Sequence, residues 1–331
     1  MPQHRVKITE VAREAGVSLS TVSRVMNGNP TVDPTLAERV REVAARLGYT
    51  ANPLARSLVL GRTQTVSVVV PDLANPTFQA VLRGVSHAAA QDGYHVLVSD
   101  TEEQVGAERD IAVTTRRRTD GVILCAPRLA QHELSELLPA IAPAVVINRP
   151  AQPGIPTVAA DYAAALGELI AHLRGLGHRR LAYLSGRVAS ASGDARRHAI
   201  AQATAHDRTL EIVEIPAGVD FDSGAAATDA VLGSDATGVL AFNDLVAMGL
   251  LSQLSARGIR VPEQLSVAGF DDIPFAAFTT PPLTTAAVPA AQLGRQAWAA
   301  MRALLADAEP TASEILTPAL VVRESTGPVS V

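Results

Sequence analysis

Apolar residues recur at helical spacing in three short runs near the start of the chain. In the first, Ile8, Val11, Ala12 and Ala15 share one face, and Gly16 follows where a residue at positive φ ends a helix. In the second, Val22, Val25 and Met26 form a narrow stripe, with Ser18 placed as its N-cap. The third, "PTLAERVREVAARLG", is entered through Asp33 as N-cap and Pro34 as first helical residue. It turns Leu36, Val40, Val43 and Leu47 toward the other two. Helices this short are marginal alone, so the pattern predicts three of them around one small core. Ser20, Thr21, Ser23, Arg24 and Asn27 fall mostly outside the second stripe, which leaves that helix a polar outer face.

"YTANPLARSLVLGRTQT" follows. Asn52-Pro53 opens a possible helix with Ala55, Leu58 and Val59 on one side and Gly61 at its end, but at this length a flexible linker is the default. From residue 65 the pattern changes to buried strands alternating with helices. "TVSVVVP", "HVLVS", "DGVIL" and "AVVIN" read as strands, with a helix from Phe78 to Ala90 after the first. A second series starts after Asp161, with helices "AAALGELIAHLRGLG", "ARRHAIAQAT", "DSGAAATDAVLG" and "DLVAMGLLSQLSARG" between strands "RLAYLSG", "LEIVEI", "TGVLAFN" and "QLSVAGF". This alternation predicts an α/β body of two doubly wound halves, each with a parallel sheet. Ligands of such sheets bind beyond the carboxyl ends of the strands, where Asn75, Arg149, Asn243-Asp244 and Asp271-Asp272 stand.

Composition narrows the function. The 331 residues are 47% hydrophobic and 18% charged, enough for more than one folded unit with a sizeable core. The single cysteine, Cys125, excludes a disulfide framework and a cysteine-based metal site and fits a reducing compartment. There is no apolar run of signal-peptide or membrane-spanning length, so a cytoplasmic protein with no membrane partner is expected. Charge is unevenly spread. Residues 1–62 carry nine Lys and Arg against five Asp and Glu, a balance of +4, while the remainder carries 19 against 28, a balance of −9. A small basic head on an acidic body is the layout of a nucleic-acid reader with a second function. In a helix-turn-helix the second helix lies in the major groove, where Ser and Thr suit phosphates or base edges and Arg suits guanine. A small helical protein-interaction domain is the alternative.

Catalytic signatures are missing from the sequence: there is no HExxH, no GxSxG elbow and no phosphate-cradling loop, and "GLGHRR" is only a weak glycine pattern. Asp271-Asp272 could be a carboxylate pair, but successive residues at a strand end point in different directions. The chain is therefore expected to be no enzyme and to need no cofactor or metal. A plain ligand-binding module is the contrasting reading.

"ITEVAREAGVSLSTVSRVMNGNPTVDPTLAERVREVAARLGYTANPLARSL" closely resembles the headpiece of the lactose/galactose repressor (LacI/GalR) family of bacterial transcription regulators. The likeness continues through "NPTFQAVLRGV", "LGHRRLAYLSG", "AFNDLVAMGLL" and "VPEQLSVAGFDDIPFAAFTTPPLTT". It implies a helix-turn-helix headpiece over 1–50, a hinge helix over 51–62, and a periplasmic-binding-protein-like body over 63–331. Within that body it implies an N-subdomain of about 63–162 and 289–317 and a C-subdomain of about 163–288 and 318–331. By family position, Leu19, Ser20 and Arg24 read bases, and Ser18, Thr21, Ser23 and Asn27 contact the backbone or position the helix. Ala55 and Leu58 belong to the hinge at the minor groove, Leu58 as the wedge that kinks the duplex.

The same resemblance implies a homodimer, held through the body with the helix at 78–90 near the partner, on a palindromic operator, most often as a repressor. It implies a small-molecule effector between the subdomains, a sugar or sugar derivative, met by Asn75, Phe78, Asn148, Arg149, Arg196, Phe221, Asn243 and Asp271. Carboxylate and guanidinium groups hold vicinal hydroxyls, and an aromatic such as Phe221 packs on a ring face. Four positions depart from the family: Lys7 replaces a common Thr cap, Thr77 a common aromatic, Val288 a polar residue of the lactose branch, and the glycine usual three residues after Arg196 is missing, so that Arg197 could serve instead. The changes at Thr77 and Val288 argue against lactose-like or purine ligands.

Overall fold

The computed structural model describes residues 6–27, 31–49, 61–186, 190–309 and 314–329. It divides into two compact units, residues 1–64 and 65–331, each taken by itself below.

The first unit is built from α1 (Ile8–Ala15), α2 (Leu19–Met26) and α3 (Pro34–Leu47). Gly16 ends α1 at φ 65°, and the Ser18 hydroxyl caps α2 by accepting from the Thr21 N–H at 3.1 Å. Asp33 caps α3 by accepting from the Leu36 N–H at 3.0 Å. At Lys7 the cap works without a hydroxyl: the Glu10 carboxylate, one turn on, accepts from the Lys7 N–H at 3.0 Å. The core joins Val11, Ala12 and Ala15 to Val22 and Val25 and to Ala37, Val40, Val43 and Ala44. Leu36 and Leu47 are only half-buried: Ala37 and Ala44 take the buried positions of α3, and Leu47 packs against the edge of this core.

The second unit holds, among the described residues, two six-stranded sheets. The first is built on β1 (Thr65–Val70), β2 (His95–Asp100), β3 (Gly121–Cys125), β4 (Ala144–Ile147) and β5 (Thr157–Ala160), all parallel. The second is built on β6 (Arg180–Ser185), β7 (Glu211–Pro216), β8 (Gly238–Ala241), β9 (Ser266–Asp271) and β10 (Thr284–Ala287). β11 (Glu314–Leu316) returns to the edge of the first sheet beside β5, and β12 (Ala319–Val321) to the edge of the second, antiparallel to β10. The chain thus passes between sheets after β5, after β10 and after β11. β5, β10, β11 and β12, of three or four residues, carry too little pattern to be read from sequence, whereas the equally short β4 and β8 are marked by continuous apolar runs. Val66, Ile123 and Val145 of the first sheet share one core with Tyr183, Leu240 and Phe270 of the second.

Helices cover both sheets, and their limits depart from the sequence pattern where side chains cap or bend them. The helix expected around "ARRHAIAQAT" begins earlier, at Ala191, because Ser190 accepts from the Gly193 N–H at 2.9 Å. "DSGAAATDAVLG" is interrupted at Ala227, beside the Thr228 hydroxyl that bonds back to the Ala225 carbonyl at 2.8 Å. The helix α4 (Pro76–Gln91) crosses the long helix over Ala290–Leu305 at very short range. A Cβ on Gly84 would lie 2.1 Å from the Ala291 carbonyl oxygen, and one on Gly294 would lie 2.2 Å from that of Val81. Gly84→Ala must therefore push the pair apart. It is expected to cost about 1–3 kcal/mol, seen as a lower urea midpoint in the fluorescence of Trp298 on the second helix; an unchanged midpoint would refute the close crossing.

Candidate functional site

In the first unit α2 buries Val22 and Val25 and turns the rest outward. Leu19 is 48% exposed, and Ser18, Ser20 and Arg24 are exposed as well. Ser18 shares hydrogen bonds of 2.8 Å with the hydroxyls of Ser20 and Thr21, which fixes a row of hydroxyls across the first turn. Ser23 and Asn27 are half-buried and joined by a 3.4 Å bond from the Asn27 amide. No described residue pairs with Arg24. A free guanidinium beside an ordered row of hydroxyls and an exposed leucine is equipped to meet phosphate oxygens and base edges together. Ala55 and Leu58 lie outside the described residues.

In the second unit a small enclosed cleft opens between the carboxyl ends of the two sheets. Of the residues expected there, Asn75, Phe78, Asn148, Arg196, Asn243 and Asp271 line it. Their polar groups differ in availability. Asn75 caps α4, its oxygen accepting from the Thr77 N–H at 2.9 Å. Asn148 accepts from the Ala160 N–H at 3.0 Å and donates to the Tyr162 hydroxyl at 2.9 Å. Asn243 accepts from the Val246 N–H at 2.9 Å and donates to the Val219 carbonyl at 2.8 Å. Asn148 and Asn243 are thus engaged at both ends and chiefly hold the walls.

Arg196 and Asp271 are the groups with bonding capacity to spare. Arg196 is only 1% exposed, yet it has no carboxylate hydrogen-bonded to it. It donates to the Ser192 and Phe242 carbonyls, each at 3.1 Å, and its Nε has no partner. Its guanidinium carbon lies 4.0 Å from the Phe270 ring centre, 4.4 Å from that of Phe242 and 4.7 Å from that of Tyr162. Arg197, the other possible cation on this helix, pairs instead with Asp194. Asp271 ends β9 at φ 107°, a strained conformation for a residue other than glycine. Burial raises its carboxyl pKa to about 6, against the opposing pull of Arg196 and of the Thr77 hydroxyl, which donates to it at 2.9 Å. That bond ties α4, on the first sheet, to the end of the second. Asp272 turns the other way and pairs with Arg323 at 2.7 Å.

Two expected residues are placed elsewhere. Arg149 donates at 3.0 Å to the Pro127 and Leu129 carbonyls and the Gln131 amide oxygen, which draws it away from the cleft. Phe221 opens a short helix capped by Asp220 and is 44% exposed, while Val219 and Phe242 supply apolar wall in its place. Thr77, Glu103, Arg128, Tyr162 and Ser192 also line the cleft and were not among the expected residues. Arg128 and Glu103 form a buried two-pronged ion pair at 2.9 and 2.8 Å. Their places just beyond β3 and β2 were the available signal. Among the described residues no cluster of side chains suited to a metal ion occurs, and no helix is long and apolar enough to cross a membrane.

The description "Bacterial regulatory proteins, lacI family" matches residues 7–52, and that of a periplasmic binding protein-like domain matches residues 170–326. The transcriptional regulator GalS of Salmonella typhimurium is 33% identical over 329 residues, covering 97% of this chain and 96% of that one. The lac repressor dimer bound to operator and the anti-inducer ONPF superposes with a TM-score of 0.88 at 26% identity, over 97% of this chain and 99% of that one. The transcriptional regulator CelR in its cellobiose complex superposes with a TM-score of 0.69 at 28% identity, over 97% and 100%. A likeness of this strength runs through nearly the whole of both chains and not through the head alone, and it makes this chain a member of the lacI family of bacterial transcription regulators.

Proposed function

We propose that this regulator is a repressor that binds a palindromic operator as a homodimer in the cytoplasm and responds to a sugar or sugar derivative held between its two sheets. The observation that carries the reading is the Thr77–Asp271 hydrogen bond across a cleft that also buries Arg196 with no carboxylate hydrogen-bonded to it. A ligand whose hydroxyls reach both walls favours the arrangement in which they stand close, and so biases whatever conformational equilibrium the operator reads. The relatives in operator and cellobiose complexes support both halves of the reading. In it, Asn75, Phe78, Asn148, Arg196, Asn243 and Asp271 form the effector site, with Arg149 and Phe221 outside it, and the subdomain boundaries follow the three crossings of the chain. Leu58 and Ala55 belong to the hinge that meets the minor groove.

A dimer is required on physical grounds, since one short helix touches too few base pairs for operator-level affinity. The head is tested with Arg24→Ala. Losing an arginine bound through two bonds to guanine removes roughly 1–3 kcal/mol of discrimination. Binding to the operator should weaken and preference at one base pair per half-site should relax. Equal weakening on operator and on random duplex, measured by fluorescence anisotropy, would reduce Arg24 to a phosphate contact.

A further inference from the structure

The Thr77–Asp271 bond has a second side. Both residues line the enclosed cleft, and both also line an open groove of about 610 Å³, so their contact is the partition between the two spaces. Two guanidinium groups reach this groove, those of Arg83 and Arg295. Both side chains are exposed, and neither has a hydrogen bond or ion pair to any described residue. Their backbone positions are firmly set. Arg83 precedes Gly84 and Arg295 follows Gly294, the two glycines at which the helices touch.

The carboxylates nearby do not cancel this charge. Asp272 is taken by Arg323 at 2.7 Å, and the charge of Asp271 is met by the pull of Arg196 across the cleft. Within the cleft Glu103 is taken by Arg128 and Arg196 faces Asp271, so the two cations of the groove, Arg83 and Arg295, are left without an acidic partner among the described residues. The groove thus presents unmatched positive charge, in a body whose overall balance is −9. A surplus of this sign against the trend of the body is what an anionic ligand requires.

We propose that the groove is a phosphate subsite, and that the effector carries a phosphate monoester whose oxygens rest between Arg83 and Arg295 while the remainder reaches Asp271, which lines groove and cleft alike. The inference rests on the cleft being the effector site. A phosphate monoester carries close to two negative charges near neutral pH and offers several acceptor oxygens to two forked donors, whereas a carboxylate carries one charge.

Inorganic phosphate is the probe, titrated into the full chain at constant ionic strength and followed by calorimetry. The expected result is saturable binding, weakened at least about tenfold by Arg83→Gln with Arg295→Gln, since both charge-assisted contacts are lost. Arg117→Gln with Arg118→Gln removes the same charge from an exposed helix end and should leave binding unchanged. Unfolding midpoints establish that both double variants are folded. Absence of saturable binding, equal loss in the two double variants, or equal displacement of phosphate by acetate would each overturn the proposal. Phosphate binding is read without any effector, so its loss in the Arg83 and Arg295 variant alone supports the subsite even if the cleft proves to respond to no effector.

Discussion

Replacing Arg196 by methionine is expected to abolish the effector response while leaving the protein as stable as before, or more so. The guanidinium is buried among Phe270, Phe242 and Tyr162 and bonded only to two carbonyls. A desolvated cation over aromatic faces gains about 2 kcal/mol, whereas the desolvation of a buried ion costs several. Methionine fills a similar volume, makes its own contacts with the rings and carries no charge. The balance therefore favours the variant for folding. For binding the balance reverses, because a ligand hydroxyl or anion loses charge-assisted bonds of roughly 1.5–3 kcal/mol each. Two such bonds amount to about a hundredfold or more in affinity. Losing Arg196 also removes the attraction that opposes the raised pKa of Asp271, so that carboxyl should stay protonated to higher pH. Thermal unfolding and operator anisotropy with and without effector test both halves. A variant that responds at wild-type effector concentrations would remove Arg196 from the site.

Asp271→Asn is expected to stabilise the protein at pH 7.5 and to erase part of its pH dependence. The carboxyl titrates near 6 in the folded chain against an ordinary 3.8, chiefly because burial disfavours its charge. Between about pH 4 and pH 6 the folded state therefore holds a proton that the unfolded state has released, and stability falls as pH rises through that window. Above it the cost is constant, up to about 3 kcal/mol. The buried neighbour Asp244, also raised by burial and by Asp271 itself, contributes with the same sign, so the informative quantity is the difference between wild type and variant. Asparagine keeps an oxygen for the Thr77 hydroxyl but carries no charge. Denaturant midpoints from pH 4 to 8 should converge at the acid end and separate toward neutrality; parallel curves would show that Asp271 is not perturbed. The variant should also lose the effector's influence on DNA while keeping operator affinity in its absence. Strain at φ 107° and a costly carboxylate at one residue are what a ligand-meeting position tolerates and a purely structural one does not.

The elements and the class of this protein were legible in the sequence by itself wherever the physics is local. Gly16, Ser18 and Asp33 act on backbone groups within one helical turn, so periodicity and capping chemistry were enough to delimit the helices of the head. The valine-rich runs marked the central strands for the same reason, since a strand buried on both faces needs apolar residues at every position. The membership of the cleft was settled by contacts far apart in the chain. Thr77 and Asp271 are 194 residues apart and meet only because the chain crosses between its sheets three times. Arg128 and Arg149 each stand beyond the end of a strand and look equivalent in sequence. Glu103, reached from another strand, draws Arg128 to the cleft wall, while the carbonyls of Pro127 and Leu129 draw Arg149 away. Phe221 and Phe242 differ likewise: a cap at Asp220 turns one outward, and the buried approach to Asn243 turns the other onto Arg196. A long side chain goes where its polar partners and its room are, and tertiary packing alone supplies both.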